Sequence, residues 1–286
     1  MTWINYTFIS VFFFSLLGLS QRIVATKSKF PRAASFIFNS LATLSTLIYL
    51  TVTGNLKNIN FKASFFAWGI ALVACFFYAI FERNRFLVYK YLDASDASII
   101  SNVSIVISIV GALFIYHESL SLPKIIGSLL IILALFIVSQ SKSRVSHFTL
   151  HGLLFGILIF STLGIASMLD KAGTINFNSS TYSIIVWVIP TLMVYFPYIK
   201  RSEISTEIKI GNWKIVLAAI LNALGYIYIL KAFEIAEATK VLPLAQTSTF
   251  FTVILAALFL RENENLGRKT ICAILAIAGS VLLIMS

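Results

Sequence analysis

Charge is the scarcest property of this sequence. Only 12% of its 286 residues are Asp, Glu, Lys or Arg, against about 25% in an ordinary soluble domain. With 59% hydrophobic residues, too few polar side chains remain to cover a water-facing surface. Cysteine is nearly absent, 2 in the whole chain, which excludes a disulfide framework. The 13 Gly and 5 Pro are too few for a collagen-like or low-complexity chain. The apolar excess excludes disorder. What survives is an all-α membrane protein.

Ten apolar stretches are present, at 4–21, 33–53, 65–91, 96–116, 123–140, 150–170, 180–199, 213–234, 241–260 and 268–285. Each is close to the roughly 20 residues that a helix needs to cross about 30 Å of hydrocarbon. They are continuous, whereas the strands of a membrane barrel alternate. The longest connection, near Lys200–Asn212, leaves no room for a soluble domain. The first stretch has no Lys or Arg before it and no small-x-small site after it, so a retained span is expected there in place of a signal peptide. Cys75 and Cys272 fall inside apolar spans and read as small core residues.

The chain repeats itself. Asp93–Ser139 aligns with Glu237–Leu283 at an offset of 144 without a gap, pairing Asn102 with Gln246, Ser104 with Ser248 and Ser108 with Thr252. His117-Glu118 then faces Arg261-Glu262. Upstream, Ser15-Leu16-Leu17-Gly18 matches Ser161-Thr162-Leu163-Gly164 at an offset of 146. Charged and polar positions match along with apolar ones, which points to duplication. Two five-helix units, 1–143 and 144–286, are expected. Five is odd, so the second unit must insert upside down. Inverted repeats of this kind place a substrate site near the midplane, between the halves.

Residues such as Glu237-Ala238-Thr239-Lys240-Val241-Leu242-Pro243-Leu244-Ala245-Gln246, Phe259-Leu260-Arg261-Glu262 and Ala278-Gly279 carry a family resemblance, echoed in the first half by Asp96-Ala97-Ser98 and Gly127. The chain resembles the ten-helix, EamA-type members of the drug/metabolite transporter superfamily along nearly its whole length. The resemblance implies ten transmembrane helices in two inverted five-helix repeats. The small four-helix relatives use a Glu in their first span as a proton site, and no acid stands in that span here.

An ionisable residue inside a membrane marks a functional site by default. Apolar content alone would end span three at Phe81 and leave Glu82, Arg83, Asn84 and Arg85 as interfacial, snorkelling charges. Its counterpart, 212–234, runs on without interruption, and carrying that across places these residues inside the membrane. Tyr78, Glu82, Arg85 and Tyr89 then share one helix face, mirrored by Asn222, Tyr226, Ile229 and Phe233 in span eight. Glu82 and Arg85 are predicted to pair at i,i+3 beside a substrate path, with Arg83 helping to bind an anionic or zwitterionic group.

In spans four and nine, Ser101, Ser104, Ser108, Ser248, Thr249 and Thr252 are read as packing groups, and Asn102 and Gln246 as cavity-lining. Trp187, just before Pro190, is an expected aromatic wall, and Trp3, Trp68 and Trp213 interface anchors. Asp170-Lys171 reads as a neighbouring ion pair at the end of span six. Glu118 and Glu262 are expected to bond helix termini or loop groups. His147 and His151 stand at i,i+4 without a nearby carboxylate or thiol, and His117-Glu118 lacks a second His, so no metal and no catalytic residue is expected.

Most Lys and Arg residues fall in loops on the side opposite both termini, which by the positive-inside rule puts the termini outside. The family resemblance implies the reverse. No phosphate-binding G-x-x-x-x-G-K-[ST] loop is present, so no nucleotide cofactor is expected, nor any other. The expected function is secondary transport, by export or exchange, of a small polar metabolite such as an amino acid. A lipid flippase or multidrug efflux protein is the alternative, and an integral membrane enzyme the least favoured. Expected partners are the small-molecule substrate, the lipid bilayer of the plasma or inner membrane, and a second copy in a homodimer. The basic excess is accounted for by topology and calls for no nucleic acid.

Overall fold

The computed structural model describes residues 1–115, 121–139, 150–245, 247–262 and 265–284. Among them every regular element is helical: α1 (Trp3–Lys27), α2 (Pro31–Val52), α3 (Phe65–Tyr91), α4 (Ala94–Ile100), α5 (Val103–Ile115), α6 (Leu122–Ser139), α7 (Leu150–Tyr195), α8 (Arg201–Ile235), α9 (Ala238–Ala245), α10 (Ser248–Leu255) and α11 (Leu266–Ile284), with short turns at Asn55–Asn58 and Ala256–Leu260. Helix starts follow local chemistry. Thr2 and Ser64 cap α1 and α3 through their side-chain oxygens, and Pro31 opens α2 where no N–H is needed.

Five helices, α1, α2, α3, α7 and α8, are long and apolar enough to cross a membrane. Their outward faces carry large apolar side chains, such as Phe8, Phe12, Leu44, Phe76, Leu154 and Leu192, that only lipid can cover at low cost. The correspondence with the apolar stretches read from sequence is not one to one. α7 covers two of them and turns at Asn178, whose φ of 56° is the left-handed kind that Asn tolerates better than most residues. Asn178 Oδ1 accepts from the Thr181 amide at 2.9 Å, capping the helix segment that follows, and its Nδ2 donates to the Asn58 carbonyl at 3.0 Å. α8 turns in the same way at Asn212, φ 48°.

Two other stretches are split. α4 stops at Ile100 and α5 begins at Val103; α9 stops at Ala245 and α10 begins at Ser248. The offset of 144 puts these breaks at equivalent places. At the first, Asn102 Nδ2 donates to the Ser98 and Ile99 carbonyls at 3.2 and 2.8 Å, and Ser101 Oγ donates to Ser98 O at 2.7 Å. Side chains thus satisfy carbonyls that a continuous helix would have bonded itself. Gln246 lies outside the described residues, as do His117, Glu118, His147 and the junction around residues 143 and 144.

The repeat is visible as a pair of matching helix crossings. A Cβ on Gly18 of α1 would meet Thr252 Cγ2 of α10 at 2.7 Å, and one on Gly164 of α7 would meet the Ser104 carbonyl oxygen of α5 at 2.7 Å. Hydroxyls complete both: Ser108 Oγ donates to Gly164 O at 2.9 Å, and Thr252 Oγ1 to Ser15 O at 3.4 Å. Each crossing joins an element of one half to an element of the other. The two differ in what a methyl would strike, a rotatable Thr side chain at Gly18 and the backbone at Gly164. Gly164→Ala is therefore expected to lower stability by about 1–3 kcal/mol, and Gly18→Ala by less, as measured by thermal unfolding of the detergent-purified variants.

Candidate functional site

The central cavity is lined from both halves: by Gly18 and Gln21 of α1, Tyr78, Glu82, Arg85 and Tyr89 of α3, Ser104 and Ser108 of α5, Ser167, Asp170 and Trp187 of α7, Asn222 and Tyr226 of α8, and Ser248 and Thr252 of α10. Its volume of about 190 Å³ far exceeds the roughly 10–15 Å³ that one buried water requires.

α3 runs unbroken past Phe81 to Tyr91, and two of the charges after it are buried within the protein: Glu82 is 4% and Arg85 6% exposed. Arg85 Nε donates to Glu82 Oε2 at 2.8 Å and its Nη2 to Oε1, a two-pronged pair within one helix turn. Asn39 Nδ2 of α2 adds a bond to Glu82 Oε2 at 3.1 Å. The Phe38 and Phe81 rings lie 4.8 and 4.7 Å from the guanidinium carbon. A carboxylate, an amide and two π-faces stand in for water around much of the pair, which is what holding an ion pair in a largely buried place requires.

Arg83 sits two residues from Arg85 and points elsewhere. Its guanidinium donates to the carbonyls of Val194, Phe196 (2.8 Å) and Pro197 (3.1 Å), at the end of α7. Two residues turn a helix by more than half a revolution, so the expected role for Arg83 in ligand binding gives way to capping of a helix terminus.

A second acid occupies the cavity, and the sequence reading misplaced it. Asp170 does not pair with Lys171. It is 1% exposed and accepts three tyrosine hydroxyls, Tyr78 at 2.6 Å, Tyr226 at 3.0 Å and Tyr182 at 3.1 Å. Lys171 turns away to the carbonyls of Phe233, at 3.4 Å, and Ala236. The helix continues to Phe177 before it breaks at Asn178, so Asp170 lies about two turns inside it rather than at its end. Glu82 is thus not alone as a deep acid. Trp187 packs edge-on against Tyr226 at 5.8 Å, and Tyr226 against Tyr78 at 5.9 Å.

In the broken stretch the serines have a second role beside packing, the role in which Ser108 bonds the Gly164 carbonyl at 2.9 Å. Ser101, Ser104 and Ser108, read as packing groups, line the cavity, while Asn102 does not. Its amide is held by the α4 carbonyls and by Thr249 Oγ1 at 3.4 Å, because an amide beside a helix end finds backbone acceptors first. Asn222 and Tyr226 line the cavity as their register with α3 implied.

At one end the halves are joined by ions. Arg22 pairs with Asp93 at 2.8 Å and reaches Glu262 at 3.9 Å; Lys269 pairs with Asp96 at 3.3 Å and Asp93 at 3.6 Å. Glu262 also accepts from the amides of Ala94 and Ser95 at 3.0 and 3.1 Å, at the start of α4. Glu262 therefore bonds a helix terminus across the repeat boundary.

The Glu82–Arg85 pair makes a stability prediction. Glu82→Gln alone strands a buried guanidinium and is expected to cost about 3–5 kcal/mol, whereas the double variant Glu82→Gln/Arg85→Met recovers most of that loss. Thermal unfolding of the two purified variants reads the difference directly.

A comparison with curated proteins gives no match. A solved crystal structure, described only as that of a protein, shares the fold at a TM-score of 0.65 and 13% identity, covering 99% of this chain and 96% of its own. The model of the EamA-like transporter family matches twice, over residues 1–140 and 150–286. Matched by that model in both halves, with its apolar crossing helices and repeat-equivalent helix crossings, the chain belongs to the EamA-like transporter family of the drug/metabolite transporter superfamily.

Proposed function

We propose that the chain is a ten-crossing secondary transporter of the plasma or inner membrane that exports or exchanges a small polar metabolite by alternating access. In this reading α4 with α5 makes one crossing and α9 with α10 another, α7 contributes two on either side of Asn178, and the two repeats are 1–143 and 144–286. The observation that carries the proposal is the cavity itself, enclosed by helices of both halves and holding three buried ionisable groups, Glu82, Arg85 and Asp170. Buried charges of this kind, lining a space between repeats, are what a solute path needs and what packing alone does not.

Tyr78, Glu82, Arg85, Trp187, Asn222 and Tyr226 are proposed to contact the solute. Breaks at equivalent places in both repeats support the same reading, since irregular backbone at membrane depth belongs beside a cavity. The ionic contacts of Arg22 and Lys269 with Asp93, Asp96 and Glu262 act as a latch that closes one end. Opening that end requires these contacts to separate, so the latch biases the equilibrium between the two access states.

Transport by the purified chain in liposomes tests the site. The double variant Glu82→Gln/Arg85→Met, being stable, should insert normally and lose transport; normal transport would remove the pair from the path. The latch has its own test. A Ser104→Cys reporter should react faster with an impermeant maleimide from the latch side when Glu262→Gln is added. The native Cys75 and Cys272 are buried and give little background. Unchanged labelling would separate these ion pairs from gating.

A further inference from the structure

We infer that the cavity takes an organic cation: its ammonium group binds at Asp170, and an acceptor atom elsewhere on it faces the indole N–H of Trp187. The inference rests on the transporter reading above and adds the class of solute.

Charge balance is the first argument. The charged residues among the described lining are Glu82, Arg85 and Asp170. Arg85 and Glu82 neutralise each other across two hydrogen bonds. Asp170 has no such partner: three hydroxyls bond it, and the adjacent lysine is turned to the carbonyls of Phe233 and Ala236. The cavity is left with one uncompensated negative charge in a low-dielectric surrounding, where an unpaired ion is costly. A cation in the cavity removes that cost, and an anion adds to it.

Hydrogen-bond capacity is the second. A carboxylate offers about four lone-pair positions. Tyr78 takes one on Oδ2, and Tyr182 and Tyr226 take two on Oδ1. Each hydroxyl has one proton to offer, Tyr226 lying 3.4 Å from the Tyr78 oxygen as well as 3.0 Å from Asp170, and one lone-pair position of the carboxylate remains for a ligand N–H. The rings of Tyr78, Tyr226 and Trp187 stand in one edge-to-face series beside it. Such π-faces favour ammonium groups, most of all away from water.

The third observation is independent of Asp170. Trp187 is 4% exposed and lines the cavity, yet its Nε1 has no hydrogen-bond partner among the described residues. Indole N–H groups are normally partnered when buried. A ligand acceptor would satisfy it. Arg85, the group that would select an anion, already has its fork on Glu82 and its faces against Phe38 and Phe81.

Four probes that share one hydroxyphenyl ring separate the alternatives: tyramine (cation), tyrosine (zwitterion), tyrosol (neutral) and 4-hydroxyphenylacetate (anion). Calorimetric titration of the purified full-length chain should rank tyramine first and 4-hydroxyphenylacetate last. Asp170→Asn should weaken tyramine by about tenfold or more while leaving tyrosol unchanged. Trp187→Phe should weaken tyramine several-fold but not 2-phenylethylamine, which lacks the acceptor oxygen. Should Asp170→Asn fail to fold, the wild-type ranking and Trp187→Phe still decide. Preference for the anion, equal response to all four, or no response to tyramine overturns the inference. Counterflow of the same probes through liposomes keeps the two proposals apart. Passage of the neutral or anionic probe with tyramine excluded would retain a transporter and reject the cation site, whereas passage of none would reject the transporter reading itself.

Discussion

Peptide groups inside an apolar layer must find their hydrogen-bond partners within the protein, and the rest of this structure follows from that constraint. It explains why every described element is a helix, and why helices break where something else can take the freed peptide groups, carbonyl or amide. At Ser101 and Asn102 that something is a set of short polar side chains, which bond the end of α4 and so let α5 restart beside the cavity. At Asn178 it is the side chain of the break residue, which caps the next segment and ties itself to the loop before α3. The breaks are therefore built features, and two of them recur at the repeat interval.

The same constraint sorts the charges. Glu82 and Arg85 tolerate burial because each supplies the other's counter-charge and Asn39 and two phenyl rings fill the remaining directions. Arg83 tolerates its place by reaching the open carbonyls at the end of α7, a partial negative charge that every helix offers there. Lys171 uses the carbonyls near the end of α8 in the same manner. Asp170 has neither solution. Hydroxyl dipoles soften its burial but do not neutralise it, and this residual imbalance gives the cavity its chemical character.

Much of this was legible in sequence, and unevenly so. The membrane class followed from charge content, and the repeat from polar residues that matched at a fixed interval. The α3 stripe was readable because helix periodicity is a local property and its span eight counterpart was uninterrupted. Asp170 escaped because its neighbour is a lysine, and adjacent opposite charges suggest a pair. On a helix, however, successive residues diverge by about 100° and face different elements. The signal available was the continuation Thr174–Phe177, which carries the helix well past Asp170. Asn102 turns from the cavity for a related reason: sequence indicates hydrogen-bonding capacity but not whether a helix end stands close enough to absorb it.

The energetics of the two crossings and the latch bear on how the halves could move. Interhelical hydrogen bonds between hydroxyls and carbonyls contribute only about 0.6 kcal/mol on average in membranes. Gly18 and Gly164 let the helices touch closely without interlocking side chains, so small rotations about these contacts disrupt little packing. The Arg22–Asp93 pair is partly exposed, with side chains 15% and 16% accessible, and pairs of that kind contribute about 0–1 kcal/mol each. Lys269 is more deeply held, bonded to Ser95 Oγ at 2.7 Å as well as to two carboxylates. It is therefore the element whose release costs most. Under the alternating-access mechanism proposed above, a solute that neutralises Asp170 need differ in affinity between the two states by only a few kcal/mol to shift their equilibrium. Burying one carboxylate without a counter-charge costs on the order of several kcal/mol after relaxation and water penetration, so removing that cost is enough for such a shift.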